Sequence, residues 1–341
     1  MKADVTINHC DSRRPVLRDA HGRLGATRSA SAGTSGAIAM ALLCVATFAG
    51  PATSTAQVIH LVSSGDARLQ RINFECSLLG ETLAEEIGDS PVGVAIDRVN
   101  DKLYWTSAGD NQILRADLDG GNVEVFVDTG LCQPYSIAID STSQRVYWSD
   151  ICAQTISRID IDGQNRAVIV SGVLSYGVAV DEAAEKLYWT EPLSASIRRA
   201  DLDGTNATTF LAGAGVVPVG ITMDPAADRL FWTDYFADSV RSISLSSGAG
   251  VVTITTSAAT PAGVAVDPTE GKVYWSNRDT GLIQRADYDG AALETLSTPG
   301  VVDPFGIAVT PKLIVDPGDM NGDGVVDGAD IPLFVQKLLG V

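Results

Sequence analysis

DKLYWTS at 101–107, QRVYWSD at 144–150, EKLYWTE at 185–191, DRLFWTD at 228–234 and GKVYWSN at 271–277 are five copies of one phrase. They contain every tryptophan of the chain, Trp105, Trp148, Trp189, Trp232 and Trp275, at intervals of 43, 41, 43 and 43 residues. Each phrase follows a short β-rich run: GVAID (93–97), SIAID (136–140), GVAVD (177–181), GITMD (220–224) and GVAVD (263–267). A third run follows it and closes on Asp-Gly in ILRADLDG (113–120), ISRIDIDG (156–163), IRRADLDG (197–204) and IQRADYDG (283–290), with VRSISLSSG (240–248) as the exception. A fourth apolar stretch, such as VEVFV (123–127), ends each unit. Four short strands per unit of about 43 residues describe one blade of a β-propeller. The Asp-Gly pairs fit hairpins between strands three and four.

A sixth unit is hidden at the front. Ile59–Phe74 aligns without a gap to Leu103–Leu118, which puts Leu61 where Trp105 stands and Arg71 where Arg115 stands. This unit lacks a first strand, and a spare one, FGIAVT, lies at 305–310. The expectation is an all-β, six-bladed propeller of four-stranded blades, closed by pairing N- and C-terminal strands so that no long sheet edge is left open. Once per blade, the Trp residues read as core packing. The Asp residues closing each first strand (Asp97, Asp140, Asp181, Asp224, Asp267) read as turn caps. The third-strand pairs Arg115/Asp117, Arg158/Asp160, Arg199/Asp201 and Arg285/Asp287 read as repeated ion pairs.

These repeats resemble the YWTD (LDL-receptor class B) β-propellers over about 57–311. That resemblance implies six blades and a protein-binding, mostly non-enzymatic module whose ligands sit on the face around the channel mouth. Departures from the motif fall at its acidic position, where Ser107, Glu191 and Asn277 stand. On that face the residues before each first strand include Tyr135, Tyr176 and Phe305, and Tyr235-Phe236 lie in a loop between strands two and three. These five are the candidate ligand-binding residues, with Asp150, Glu191 and Asp234 as a carboxylate rim. Cys132 and Cys152 belong to loops of the same face and are expected to form a disulfide, as suits an oxidising compartment.

Both ends of the chain carry signals of their own. Ala37–Ala49 is an apolar run preceded by arginines and followed by small residues, which reads as a signal peptide over 1–56 cleaved near Ala56. The product would be secreted, cell-surface or periplasmic, with no transmembrane segment in the mature chain. After a linker at 312–318, Asp319, Asn321, Asp323, Val325 (by its carbonyl), Asp327 and Asp330 take the ligand positions of a 12-residue calcium loop, with Gly324 at the sharp turn. Calcium is the one cofactor expected. With the amphipathic stretch 331–339, residues 319–341 resemble one repeat of a bacterial dockerin. Dockerins carry two such repeats, so the resemblance implies only half of what docks a cohesin-like partner.

The chain of 341 residues has a net charge of −18, and the segment 1–56 holds six Lys/Arg but three Asp/Glu, so the mature chain is near −21. A surface this acidic repels nucleic acid and anionic lipid. Of three His only His60 lies beyond residue 56. A catalytic acid–base pair needs two different environments, whereas the repeated Asp supply near-identical ones. The reading is therefore an exported, non-enzymatic module that binds protein or glycan and has no catalytic residues. The alternatives are a lyase or hydrolase acting at the central channel, and a scaffold component docking through its tail.

Overall fold

The structure is a computed structural model that describes residues 57–73, 77–296 and 300–310. The expected signal peptide (1–56), linker (312–318) and calcium loop with its following stretch (319–341) lie outside the described residues. Within them, 24 strands form six four-stranded antiparallel sheets. Blades two to six run in sequence order: Pro91–Val127, Pro134–Ser171, Gly177–Ala212, Pro218–Thr255 and Pro261–Leu296. The first blade is composite. Val58–Ser63, Arg68–Asn73 and Ser77–Glu85 are joined by Pro304–Thr310, which pairs with Val58–Ser63 and aligns Leu61 with Ile307. Leu61 is also paired with Gln70, as Trp105 is with Leu114. The hidden blade and its closure are both present.

Each blade buries the middle of its second strand completely. All five Trp are inaccessible to solvent, as is Leu61. Strand three turns into strand four on the Asp-Gly pair, where Gly120, Gly163, Gly204 and Gly290 have φ of 84° to 89°, a conformation that costs glycine nothing. The first-strand Asp caps the following turn: Asp140 accepts from Ser143 N–H (2.8 Å) and Asp181 from Ala184 N–H (3.0 Å). The third-strand ion pairs differ from expectation. Asp117, Asp160, Asp201 and Asp287 pair with Lys102, Arg145, Lys186 and Lys272 of the second strand. The third-strand arginines turn elsewhere, Arg115 to Glu124 and, across the seam, to the Ile161 carbonyl. The reason is geometric: residues two apart on a strand share a face but lie end to end, whereas cross-strand neighbours stand side by side.

The blades are bonded to one another near the top of the first strands. Thr106, Thr190, Thr233 and Ser276, third in the motif, donate to the carbonyls of Tyr135, Val219, Ala262 and Phe305 in the following blade at 2.7 to 2.8 Å. Thr106, Thr233 and Ser276 also accept from the N–H of Gly93, Gly220 and Gly263 of their own blade. Blades approach so closely here that a Cβ on Gly220 would lie 2.2 Å from the Ala262 carbonyl oxygen. Blade three replaces that glycine by Ser136, whose hydroxyl accepts from Val178 N–H across the seam (3.0 Å). Blade one has Val62 in the hydroxyl's place, and Ser64 bonds the Pro91 carbonyl instead.

Two opposite outcomes follow. Thr233→Val leaves the buried Ala262 carbonyl and Gly220 N–H without that hydroxyl and should cost about 1–3 kcal/mol in urea unfolding. Val62→Thr gives blade one the hydroxyl it lacks, beside the Val92 carbonyl that a Cβ on Gly306 would meet at 2.4 Å. It should raise stability by about 1 kcal/mol. Equal effects of the two substitutions would contradict this account of the seams.

Candidate functional site

The first strands of the six blades line the channel, and equivalent positions taken every second residue along them stand at common levels. Four rings result. At the upper mouth stand Val92, Tyr135, Tyr176, Val219, Ala262 and Phe305. Beneath them are Val94, Ile137, Val178, Ile221, Val264 and Ile307, then Ile96, Ile139, Val180, Met223, Val266 and Val309. The lower rim carries Arg98, Ser141, Glu182, Pro225 and Pro268.

The upper mouth carries an aromatic plug. Tyr135 stacks on Tyr176 with centroids 4.9 Å apart and meets Phe305 edge-on at 5.3 Å. Phe305 is only 7% exposed. Burial pushes the Tyr135 hydroxyl well above the usual phenol range, helped by the neighbouring Tyr176. Between plug and second ring about 70 Å³ remains. Over the plug lies a charged pair: Arg278 holds Asp303 through two bonds of 2.6 and 2.7 Å, with its guanidinium 4.7 Å from the Phe305 ring centre. Asp303 keeps the Arg278 pKa raised. Tyr235 packs against the plug and edge-on against Phe236 at 5.1 Å. Phe236 is 69% exposed and Leu193, in another loop of this face, 85%.

The five candidate residues thus divide. Tyr135, Tyr176, Tyr235 and Phe305 share one apolar cluster, and Phe236 projects from its edge into solvent. Asp150 and Asp234 are not a rim. Both are buried, Asp150 accepting from Cys132 and Gln133 N–H, Asp234 from Val216 and Val217 N–H at 2.8 and 2.9 Å. The acidic position of the motif ties the loop entering a blade to that blade. Asn277 does the same through Ala259 N–H (2.9 Å) and Ser107 through the Asp89 carbonyl (2.9 Å), while Glu191 turns to the Trp189 indole. Cys132 and Cys152 are joined by a disulfide, Cα–Cα 5.4 Å, which fastens the loop before Pro134 beside the Tyr135 end of the plug. The charged pair Arg278–Asp303 was not legible, since neither residue belongs to the repeat.

The profile of the virginiamycin B lyase family matches residues 61–316. The chain belongs to that family. Among curated proteins none matches the sequence. Among solved structures, a chain of a nidogen/laminin complex is 20% identical, with a TM-score of 0.68 over 75% of this chain and 98% of the other. Virginiamycin B lyase from Staphylococcus aureus is 17% identical, with a TM-score of 0.55 over 75% of this chain and 87% of its own. Both likenesses show the fold.

Membership of the virginiamycin B lyase family overturns the expectation that the chain is not an enzyme. That expectation rested on a scarcity of His and on the sameness of the repeated Asp. General acid–base chemistry can also be carried by carboxylates, Tyr or Lys, and the groups that break a propeller's symmetry, as Arg278 and Asp303 do, escape a count of repeats. Among the described residues no cluster of His, Cys, Asp and Glu is arranged to hold a metal, and no helix is long and apolar enough to cross a membrane.

Proposed function

We propose that the upper face of the propeller binds a polypeptide or glycan around its aromatic mouth. The observation that carries this is the joining of Tyr135, Tyr176, Tyr235 and Phe305 in one apolar cluster, with exposed Phe236 at its edge and Arg278 on top. Tyr and Arg concentrate binding energy at interfaces, and rigid rings lose little conformational entropy when covered. The nidogen/laminin neighbour supports the reading, since that propeller was crystallised in a protein complex. Affinity capture with the immobilised full chain tests it. Tyr235→Ala with Phe236→Ala should weaken capture at least tenfold, and Tyr135→Ala with Tyr176→Ala should abolish it. Undiminished capture by both folded variants would sink the proposal.

A second reading, that the bound ligand is also cleaved by a lyase reaction, is favoured by the family match. Such chemistry needs a base to take a proton and positive charge to stabilise the electrons left on the substrate. Asp303 and Arg278 offer both at one mouth, held together until a ligand parts them. Incubation with virginiamycin B followed by liquid chromatography–mass spectrometry tests this. A time-dependent product lost in Asp303→Asn supports it, and no product from wild type removes it.

The chain ends enter the proposal on sequence spacing alone. Export through 1–56 would deliver the propeller outside the cytoplasm, and calcium at Asp319, Asn321, Asp323, Asp327, Asp330 and the Val325 carbonyl would order an attachment tail. Calorimetric titration of the full chain should show one calcium site that Asp319→Ala with Asp323→Ala removes. An unchanged titration would refute the site.

A further inference from the structure

On the upper face, the loops joining the second strand of each blade to the third are equivalent in position and unequal at their tips. From blade one to blade six the tip residue is Gly65, Gly109, Cys152, Leu193, Phe236 and Asp279. Two tips are glycine, and Cys152 is held in its disulfide. Leu193 and Phe236 are the two most exposed large hydrophobic residues among the described residues. They stand on neighbouring blades, and the tip after them is a carboxylate. A repeat that forms the same loop six times has no packing reason to expose leucine and phenylalanine side by side, and exposed apolar patches of this kind mark binding surfaces.

Backbone bonds tie these tips to the loops between them. Ala214 N–H donates to the Ala195 carbonyl (2.7 Å) and Tyr235 N–H to the Val217 carbonyl (3.0 Å). The loop carrying Val216, itself 60% exposed, is thereby bonded to both apolar tip loops. Further round the ring, Thr260 N–H donates to the Asp238 carboxylate (3.0 Å), and the Thr260 hydroxyl accepts from Asp279 N–H (3.1 Å). Leu193, Val216, Phe236, Asp238 and Asp279 therefore follow one another along one track of bonded loops.

The charge at the end of this track is uncompensated. Asp238 and Asp279 are both exposed, and neither pairs with a cation among the described residues. Arg68 and Arg278, on the same face, are already held by Asp66 and Asp303. Charges left open beside an apolar surface select the sign of what covers it.

We propose that the track receives a polypeptide segment whose apolar residues cover Leu193, Val216 and Phe236 and whose next residues, lysine or arginine, face Asp238 and Asp279. The inference rests on the reading of the upper face as a binding face and chooses polypeptide over glycan as its occupant. One backbone carries both parts, the apolar side chains and the positive charges, in the order the track presents them.

Fluorescence polarisation of the full chain with labelled peptides is the test. The probe is Phe-Leu-Val-Leu-Gly-Lys-Lys-Lys, and its controls replace the lysines by glutamate or the apolar residues by serine. Saturable binding of the probe is expected, with each control at least tenfold weaker. Asp238→Asn with Asp279→Asn keeps the side-chain shapes and an acceptor for Thr260 N–H. It should weaken the probe at least fivefold and remove most of the salt dependence of binding. Leu193→Ser with Phe236→Ser should weaken it at least tenfold and leave the salt dependence in place. Near-ultraviolet circular dichroism checks folding, and Leu193→Ser alone serves if that pair fails to fold. Absence of saturable binding to wild type overturns the proposal, as does equal binding of the glutamate control or an unchanged affinity in either folded pair of variants. A glycan or uncharged peptide whose capture is lost in Tyr135→Ala with Tyr176→Ala but kept in these variants would leave the mouth as a binding face and remove the track.

Discussion

Trp232→Ala is expected to lower the free energy of unfolding by about 4–5 kcal/mol. Removing a buried aromatic side chain costs about 3–5 kcal/mol through lost burial and the cavity left behind. A further loss comes from the Ala214 carbonyl, which accepts the Trp232 indole N–H at 2.7 Å and is itself buried. Phenylalanine separates the two contributions. Trp232→Phe keeps most of the volume but orphans that carbonyl and should cost about 1–3 kcal/mol. Trp148→Phe should cost less, because the Trp148 indole nitrogen has no hydrogen-bond partner. The carbonyl 18 residues before the indole, which serves Trp105 (Ile87) and Trp232 (Ala214), is that of Gly130 in blade three. There Arg166 takes it at 2.7 Å and lays its guanidinium 5.2 Å from the Trp148 ring centre. Urea unfolding of the two phenylalanine variants decides the matter, and equal losses would contradict the assignment.

His60→Leu is expected to flatten the acid side of the stability curve. His60 stands in the register position of Tyr104, paired with Arg71 as Tyr104 is with Arg115. It is buried, and neither ring nitrogen is in a hydrogen bond of good geometry. Burial, reinforced by the Arg71 charge, holds its pKa down at about 4 against the weaker pull of the Leu118 carbonyl. The sign follows. Unfolded, the imidazole takes up a proton below about pH 6.5, and folded it does so only near 4. The stability linked to this group is complete above pH 6.5 and is lost as pH falls to about 4, in all about 3 kcal/mol. Unfolding free energies at pH 7 and pH 4 should therefore differ by about 3 kcal/mol less in His60→Leu than in wild type. An identical pH dependence would show that His60 does not carry it.

The strands, blade count and closure were readable because the Trp repeat fixes the period and the channel requires every blade to present the same alternation. Even the blade without Trp was visible, since Leu61, Arg71 and the spare strand 305–310 kept their register. The site was only partly readable. Strand parity placed Tyr135, Tyr176 and Phe305 at the mouth, but not their collapse onto one another, which depends on unequal side chains meeting across a nearly symmetric ring. The carboxylates of Asp150 and Asp234 read as a rim because a sequence shows acidity and not the backbone N–H groups that consume it. Arg278 and Asp303 escaped because they break the repeat, and what breaks a repeat is where this fold has room for specific chemistry.

The composite first blade also sets an order of manufacture. A chain emerging from the ribosome makes Val58–Ser63 at the start, yet that strand's inner partner, Pro304–Thr310, comes at the end of the repeats. Until then the strand presents an unpaired edge, the kind of surface that recruits other chains. Folding before translation passes residue 310 can therefore yield at best an open arc. The ring locks only when both of its ends are in the same place, so closure reports that the whole repeat region has been made.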